Sequence, residues 1–355
     1  MALEELNRRE FLLAGAAALA AFPVAAAKAP PKPIVSIVRI RDDRIDAAVE
    51  EAIDLLGGIK RVTRGKDTIL LKPNLVFDQR HATTKPEVVR ALARLMKGAG
   101  KEVSIGEASA AATGFNSKGM EVFRTRRRDV LDPMQQHVFD ELGYTELAKA
   151  ARVPLVNLHS GELVDVKVPG AFVFDTLTLH RSVAEADLLC SVPMMKTHQL
   201  ATVTLGMKNL VGLFPGTVYQ AVRGHMHDVA AEVEPTGASA VVVDVVRASR
   251  PGLVVVDAST AMEGNGPSLG SLVKMDLIVA GENPVAADMV AASVMGFAAK
   301  DVPTFVWAGK AGLTPGSLDE IDVRGEAIER VRRVFARPQL AEWKHIRAYW
   351  GAKEI

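Results

Sequence analysis

The chain has 355 residues, of which 48% are hydrophobic and 24% charged, a composition typical of a globular protein with one large or two modest domains. Lys and Arg total 43 against 42 Asp and Glu, and the resulting net charge of +1 provides no global field for nucleic acid or acidic membranes. Cys190 is the single cysteine, which excludes an intramolecular disulfide and a cysteine-ligated iron–sulfur cluster or zinc site within one chain.

The first 27 residues have the pattern of an export signal, with a charged start, a short apolar run and a small-residue end. The Arg8-Arg9 pair resembles a twin-arginine signal, and Ala25 to Ala27 fit the cleavage rule. The apolar run is shorter than the ~20 residues that cross a bilayer, which favours cleavage over an uncleaved anchor. We expect export through the Tat translocon, an extracytoplasmic, typically periplasmic location, and no stable membrane span after cleavage.

The next segments alternate between strand and helix patterns. Strands are predicted at 34–40, 67–75 and 102–106, and helices at 45–56 and 86–97, the second with a capping box formed by Thr84 and Glu87. This alternation favours a parallel sheet with helical crossovers, in which ligands bind beyond the carboxyl ends of the strands. Lys72, Asn74 and Glu107 are predicted to lie at that edge.

The middle of the chain is less regular. Residues 110–133, including the basic run 124–128, are predicted to form a long solvated loop, which is a lid, a binding loop or disordered. A helix at 138–150 and a strand at 153–158 follow, and the alternating segments 164–168 and 176–179 predict a small antiparallel hairpin.

The last part returns to alternation. Strands are predicted at 186–192, 253–257, 274–280 and 321–323, helices at 239–248, 284–295 and 326–349 with a break at Pro338, and an irregular glycine-rich turn at 262–267. The fold class is therefore α/β, with a mostly parallel sheet, a small antiparallel excursion, and one domain at 28–355 in two lobes, about 34–160 and 161–355.

Residues 192–228 combine lysines and histidines with many small apolar residues. Charged groups cost several kcal/mol to desolvate unless they are paired, so Lys196, His198 and Lys208 indicate either a solvated loop or a positively charged cleft. The segment 204–211 could begin a helix whose first N–H groups bind an anion beside Lys208 and Asn209, or form an amphipathic turn with a solvated lysine. His225 and His227 could share a metal ion if the segment is extended, or lie in a surface loop.

Common catalytic signatures are absent: there is no GxGxxG, Walker-type, HExxH or GxSxG motif. Asp257, Glu263, Asn265 and Asp288 could supply acid–base groups or hard-cation ligands, although acids near turns more often cap helices or face solvent.

Six segments resemble the bacterial and archaeal family called domain of unknown function 362. They are LLKPNLV (70–76), TKPEVVRAL (84–92), GEAS (106–109), VPMMKTHQLATVTLGMKNLVGLFPG (192–216), VVDASTAMEGNGPSLG (255–270) and NPVAADMVAA (283–292). Many relatives carry a ferredoxin-like segment, but this chain lacks the cysteines for it, so no iron–sulfur cluster is expected.

A weaker resemblance connects the chain with the lactate racemase family, which uses a nickel-pincer nucleotide. The order His198, Lys208, Pro215-Gly216 and His225 is similar to that family's catalytic histidine, cofactor-bound lysine, Pro-Gly and nickel-ligating histidine, although Leu205-Gly206-Met207 replaces its glycine pair. The resemblance implies that His198 is a base, Lys208 a cofactor tether and His225 a metal ligand, with His81 or His159 available as a second histidine.

These observations predict an exported enzyme that binds an anionic small molecule or a metal-containing cofactor. Its chemistry would be acid–base catalysis, as in an isomerase or racemase, or redox catalysis at the metal. The alternative is a periplasmic ligand-binding or cofactor-chaperone protein. The predicted site comprises His198, Lys196 and Glu107 as catalytic residues, Lys208, Lys72, Asn74, Asn209, Glu263 and Asn265 as cofactor-binding residues, and His225 and His227 as metal ligands.

Overall fold

The computed structural model of the protein describes residues 31–119, 121–233 and 236–339. The described residues from Pro33 onward form one compact unit. The predicted signal sequence and its cleavage site lie outside the described residues, and the two-lobe division near residue 160 stays a prediction. None of the described helices is both long and apolar enough to cross a membrane.

A large central sheet organises the described chain. Its strands, together with those of two small hairpins, are β1 (Ile34–Arg39), β2 (Thr68–Pro73), β3 (Glu102–Glu107), β4 (Ser117–Lys118), β5 (Glu121–Val122), β6 (Leu155–Asn157), β7 (Leu163–Lys167), β8 (Thr176–His180), β9 (Leu188–Val192), β10 (Met194–His198), β11 (Thr202–Thr204), β12 (Leu253–Glu263), β13 (Ser271–Gly281) and β14 (Asp322–Gly325). The order of the central sheet is β14-β1-β13-β12-β9-β2-β3-β6, and β10 pairs with both β11 and β12. Strands β2, β3, β6, β9, β10 and β12 are parallel, whereas β13 runs antiparallel to both of its neighbours.

Helices cover both faces of this sheet. They are α1 (Ile45–Leu55), α2 (Ile59–Val62), α3 (Pro86–Gly98), α4 (Arg128–Glu141), α5 (Tyr144–Ala151), α6 (Arg181–Glu185), α7 (Gly206–Asn209), α8 (Gly216–Tyr219), α9 (Gly224–Ala230), α10 (Gly237–Ser249), α11 (Pro284–Val294), α12 (Pro303–Lys310) and α13 (Ile328–Val331). Five short 3₁₀ helices lie at Arg80–Ala82, Leu210–Leu213, Ala221–Arg223, Ala299–Asp301 and Leu318–Glu320. The apolar sides of the α-helices enclose two hydrophobic cores, one on each face of the sheet.

Alternation along each strand divides the apolar side chains between the two cores. In β2, Ile69 and Leu71 pack with α1, α3, α4 and α5, whereas Leu70 faces the core formed with α10, α11 and α12. Successive strand side chains point to opposite faces, so a strand buried on both sides is apolar at nearly every position. This arrangement confirms the predicted α/β class with a mostly parallel sheet, and β7 with β8 forms the predicted antiparallel hairpin.

Three local predictions were wrong. The predicted loop 110–133 is shorter, since β4 and β5 form a small hairpin and α4 begins at Arg128. Thr84 does not cap α3, because its hydroxyl donates to the carbonyl of Val192 and accepts the N–H of Asn74. Among the described residues of the predicted C-terminal helix 326–349, only α13 is an α-helix and 332–339 lack helical structure, whereas 340–349 lie outside the described residues.

Candidate functional site

A cleft of about 120 Å³ lies where the parallel strands β2, β3 and β10 end. Lys72 is near the end of β2, whereas Glu107 is the last residue of β3 and His198 the last residue of β10. This is the edge at which open parallel sheets bind ligands. Eight of the predicted site residues line the cleft: Lys72, Asn74, Glu107, Lys196, His198, Lys208, Asn209 and His227.

The other three predicted site residues lie outside the lining of this cleft. His225 is exposed on α9, and its ring stacks on Tyr219 with 6.2 Å between ring centroids. Glu263 accepts a hydrogen bond from the N–H of Ala336 at 2.9 Å. Asn265 accepts one from the N–H of Gln339 at 3.0 Å. Glu263 and Asn265 therefore hold the C-terminal segment of the described chain in place.

The extended segment that would let His225 and His227 share a metal is not formed. Both residues lie on α9, and helix side chains two positions apart do not face each other. Within 31–119, 121–233 and 236–339, no group of three or more His, Cys, Asp or Glu side chains could hold a metal ion. Of the two histidines, only His227 lines the cleft, where burial and the neighbouring Lys208 and Arg223 lower its pKa to about 3.

A buried ion pair forms the floor of the cleft. Lys72 Nζ donates to Glu107 Oε2 at 2.7 Å and to the carbonyl of Pro73 at 2.7 Å. Glu107 also accepts hydrogen bonds from the N–H groups of Leu75 at 2.8 Å and Ala108 at 2.9 Å. Burial lowers the pKa of Lys72, and the Glu107 carboxylate opposes that shift. The sequence predicted a catalytic role for Glu107. In the structure its carboxylate accepts hydrogen bonds from three donors and holds Lys72 in position.

Asn209 and Gly212 complete this floor. Asn209 Oδ1 accepts from Lys72 Nζ at 3.1 Å, and its Nδ2 donates to the Lys72 carbonyl and to Ser191 Oγ, both at 3.0 Å. Gly212 packs so closely that a Cβ there would overlap Glu107 Oε1 and Lys72 Nζ. The glycine is required because any side chain would push the ion pair apart.

Substituting Gly212 with alanine is expected to destabilise the protein by about 1–3 kcal/mol, since the added methyl group overpacks a buried site. Urea denaturation measures this loss. Gly98 is the matched control because it also lies in ordinary backbone geometry, but a Cβ there meets no atom within 4 Å. Equal unfolding free energies for Gly212→Ala and Gly98→Ala would contradict the close approach.

Lys196 is fully buried beside this floor. Its Nζ donates to the carbonyls of Ala82 at 2.7 Å and Pro267 at 3.2 Å, and within the described residues it forms no ion pair. Burial, and to a smaller extent the nearby Lys208 and Lys72, lower its pKa to about 7. Lys196 therefore links two backbone segments, and its amine titrates near neutral pH.

His198 lies two residues beyond Lys196 on β10, so both side chains are on the same face of the strand. Its Nδ1 accepts the N–H of Leu200 at 3.0 Å. Burial, then Lys208 and Lys196, hold the pKa of His198 well below its usual range, so the ring is neutral. A neutral ring whose Nδ1 accepts a hydrogen bond carries its proton on Nε2 and offers a donor there.

The short helix α7 presents Lys208, and its first N–H groups already bind an anion from within the protein. Asp288 on α11 accepts from the N–H of Gly206 at 2.7 Å and from that of Met207 at 2.8 Å. Burial raises the pKa of Asp288 to about 7, although both hydrogen bonds oppose this shift. The predicted ligand anion at this helix terminus is thus replaced by Asp288.

Lys208 itself is half-buried in the wall of the cleft. No hydrogen bond or ion pair to its Nζ is formed by the residues that the structure describes. Burial, and to a smaller extent the nearby Arg223 and Lys72, lower its pKa to about 8. Its amine is therefore available to a molecule in the cleft.

Arg223 is a fourth cation in the lining that the sequence predictions missed. It donates from Nε to the carbonyl of Val211 at 2.9 Å, from Nη1 to that of Ser109 at 3.5 Å, and from Nη2 to that of Ala108. Burial lowers its pKa to about 10, so it stays charged at neutral pH. A sequence signal was present, because Arg223 lies among apolar residues only two positions before His225.

Two polar atoms of the lining lack partners among the described residues. They are Asn74 Oδ1 and Thr204 Oγ1, and both side chains are more than nine-tenths buried. Thr204 on β11 pairs directly with Lys196 on β10. Buried polar groups are usually hydrogen-bonded, so these two atoms offer hydrogen-bonding capacity to a ligand.

Residues 69–293 match the family model described as Domain of unknown function (DUF362). The chain is 28% identical over 276 residues to the thylakoid-associated protein sll1697 of Synechocystis sp., covering 77% of each chain. Among solved structures, it is similar to the lactate racemase apoprotein from Thermoanaerobacterium thermosaccharolyticum, with a TM-score of 0.45, 13% identity, and coverage of 76% of this chain and 59% of that chain.

Proposed function

This chain belongs to the DUF362 family, and we propose that it is an enzyme whose cleft binds a small anionic molecule. The sequence also predicted an anionic ligand, and we propose that this ligand binds in the cleft at the ends of β2, β3 and β10.

One observation carries the proposal: the cationic groups of the lining outnumber its carboxylates. Lys72, Lys196, Lys208 and Arg223 line the cleft, and the carboxylate that accompanies them there, Glu107, is bound to Lys72. Burying a charge without a counter-ion is costly, so three of these cations favour an anion from solution. A ligand carboxylate or phosphate would supply it.

Groups with perturbed pKa values favour catalysis over binding alone. Lys196 and Lys208 have pKa values of about 7 and about 8, which allow them to exchange protons near neutral pH. The Nε2–H of His198 can donate to an oxygen that develops negative charge, as a neutral imidazole does in some isomerases. The base role inferred for His198 from the sequence stays a prediction. In the described structure its Nδ1 already accepts the N–H of Leu200, and its Nε2 carries the proton.

The residues do not fit the nickel-pincer arrangement implied by the lactate racemase resemblance. Lys208 and His198 line the cleft, but His225, the implied metal ligand, stacks on Tyr219 outside its lining. His227 lies in the cleft instead. Among the described residues it belongs to no group of three or more side chains that could hold a metal ion. We therefore assign no step of the reaction to that cofactor.

Titration of the purified protein with inorganic phosphate and with small carboxylates tests the proposal. We expect saturable binding that Lys208→Met weakens by ~10-fold or more, since a charge-assisted hydrogen bond contributes about 1.5–3 kcal/mol. Lys60→Met is the control, because Lys60 is exposed outside the cleft. Absence of binding to every anion, or equal affinities of the two variants, would overturn the proposal.

The affinity for anions is expected to fall as pH rises. Lys196 and Lys208 bind anions as ammonium groups, and their pKa values of about 7 and about 8 place the loss of charge just above neutrality. We expect affinity to decrease ~10-fold between about pH 6 and about pH 9, with proton uptake on binding. Calorimetry in buffers of different ionisation enthalpy measures both, and a flat pH profile would contradict these lowered pKa values.

The alternative is a ligand-binding or cofactor-chaperone protein that uses the same groups without turnover. Nuclear magnetic resonance spectra of a bound small anion, followed over hours, distinguish the two. An enzyme converts the ligand, or exchanges its protons with solvent, at a rate that His198→Ala lowers. A binding protein leaves it unchanged.

Export through the twin-arginine route is also part of the proposal and is supported by the Arg8-Arg9 pair and the apolar run after it. Replacing both arginines with lysine is expected to retain the precursor in the cytoplasm. Cell fractionation with N-terminal sequencing tests this, and a processed extracytoplasmic chain from the variant would contradict it.

A further inference from the structure

We propose that Lys208 is a nucleophile that forms an imine with a small 2-oxo acid held in the cleft. This inference rests on the proposed anion-binding function and specifies the chemical class of the ligand.

Lys208 differs from the other two lysines of the cleft in its contacts. Lys72 Nζ is occupied by Glu107, Asn209 and the carbonyl of Pro73. Lys196 Nζ is held by two backbone carbonyls. Lys208 Nζ has no such partner among the described residues and lines the cleft, so nothing in the described structure blocks its attack on a carbonyl carbon.

The surroundings of Lys208 favour the neutral amine, which is the nucleophilic form. No described carboxylate pairs with it, and Arg223 and Lys72 are close enough to repel its proton. An amine in a desolvated pocket beside other cations is a recurring way to activate a lysine for imine formation. At a pKa of about 8, roughly a tenth of the amine is unprotonated at neutral pH, whereas an ordinary lysine is almost fully protonated.

The same surroundings select a carbonyl compound that also carries an acid group. Arg223 stays charged and is fixed by three carbonyls, so it can bind a carboxylate while Lys208 meets the adjacent carbonyl carbon. Asn74 Oδ1 and Thr204 Oγ1 can bind the hydroxyl of the intermediate. The small cleft limits the ligand to a compact molecule.

The step balances without an added oxidant or reductant. The Lys208 amine adds to the carbonyl carbon, and a proton moves from nitrogen to oxygen to give a carbinolamine. The carbinolamine loses its hydroxyl as water when the Lys196 ammonium donates a proton, and the C–N single bond becomes the C=N bond of the imine. The product is a protonated imine at Lys208, and one water is released.

Reductive trapping tests the proposal on the full-length protein. The protein is incubated with glyoxylate or pyruvate, the two smallest 2-oxo acids, and sodium cyanoborohydride, which reduces an imine to a stable secondary amine. Peptide mapping by mass spectrometry then locates the adduct. We expect Lys208 to be modified ~10-fold or more faster than the exposed Lys60 in the same sample, because the lowered pKa supplies more free amine.

Lys208→Arg separates the imine from anion binding, since arginine keeps the charge but cannot form the imine. This variant is expected to retain phosphate binding and to lose the trapped adduct in the cleft. Modification of Lys208 at the rate of Lys60 with both probes would overturn the imine, and phosphate binding by the wild-type protein would then leave the proposed function standing. Absence of binding of phosphate and of every small carboxylate to the wild-type protein would instead refute the proposed function.

Discussion

Replacing Glu107 with glutamine is expected to lower the free energy of unfolding by about 3–5 kcal/mol, the usual effect of removing one partner of a buried ion pair. Three donors meet the carboxylate: Lys72 Nζ and the N–H groups of Leu75 and Ala108. A glutamine must turn its NH₂ group towards at least one of them. The variant therefore loses a charge partner and also places a donor against a donor.

Urea denaturation measures this effect, and the pair Arg94–Glu50 provides the control. That ion pair has an N–O distance of 2.9 Å, but both side chains are about half exposed. Exposed pairs contribute about 0–1 kcal/mol, so Glu50→Gln should be nearly neutral. Changing both Lys72 and Glu107 to apolar residues should cost less than Glu107→Gln alone. A loss below about 1 kcal/mol for Glu107→Gln would show that the pair is not buried as described.

Substituting Asp288 with alanine is expected to destabilise the protein by about 2–4 kcal/mol, because the buried N–H groups of Gly206 and Met207 lose their acceptor. These groups begin the helix that presents Lys208. We therefore expect weaker phosphate binding as well, although Asp288 does not itself line the cleft. Asp288→Asn keeps one acceptor oxygen and should have an intermediate effect.

The cost of Asp288→Ala should depend on pH. The pKa of Asp288 is raised from 3.8 to about 7, so between these values the folded state holds a proton that the unfolded state has released. Stability of the wild-type protein then decreases as pH rises through this window, a dependence that the alanine variant lacks. The difference between the two proteins should be larger near pH 5 than near pH 8. An equal difference at both pH values would argue against the raised pKa.

The sheet and the edge at which the cleft lies could be predicted because their signals are local. Apolar runs such as 67–75 show a strand directly, and polar residues at a strand's end then locate the edge. Lys72, Asn74 and Glu107 were placed at the correct edge for this reason. The distant partners of Lys72 and Glu107 could not be predicted, because they lie 32 to 137 residues away in the chain.

The wrong local predictions share one cause, because the folded chain forms contacts and conformations that the local sequence signals do not determine. Thr84 matches a capping box, but its hydroxyl joins Asn74 to Val192. The predicted loop 110–133 ended at Pro133, yet α4 begins at Arg128 and includes this proline. His225 and His227 could share a metal ion only if the chain were extended. Instead, a helix begins directly after Arg223, which has a left-handed backbone conformation with φ 60°.

The contacts around Lys72 also determine when the cleft can exist during folding. Lys72 joins Glu107, 35 residues away, to Asn209, 137 residues away, so its charge can be buried only after distant parts of the chain have met. Contacts of such high sequence separation form slowly, and a partly synthesised chain ending before α7 would leave this lysine without its Asn209 partner. Lys72 therefore has its full set of partners only when the segments that carry Glu107 and Asn209 are both in place.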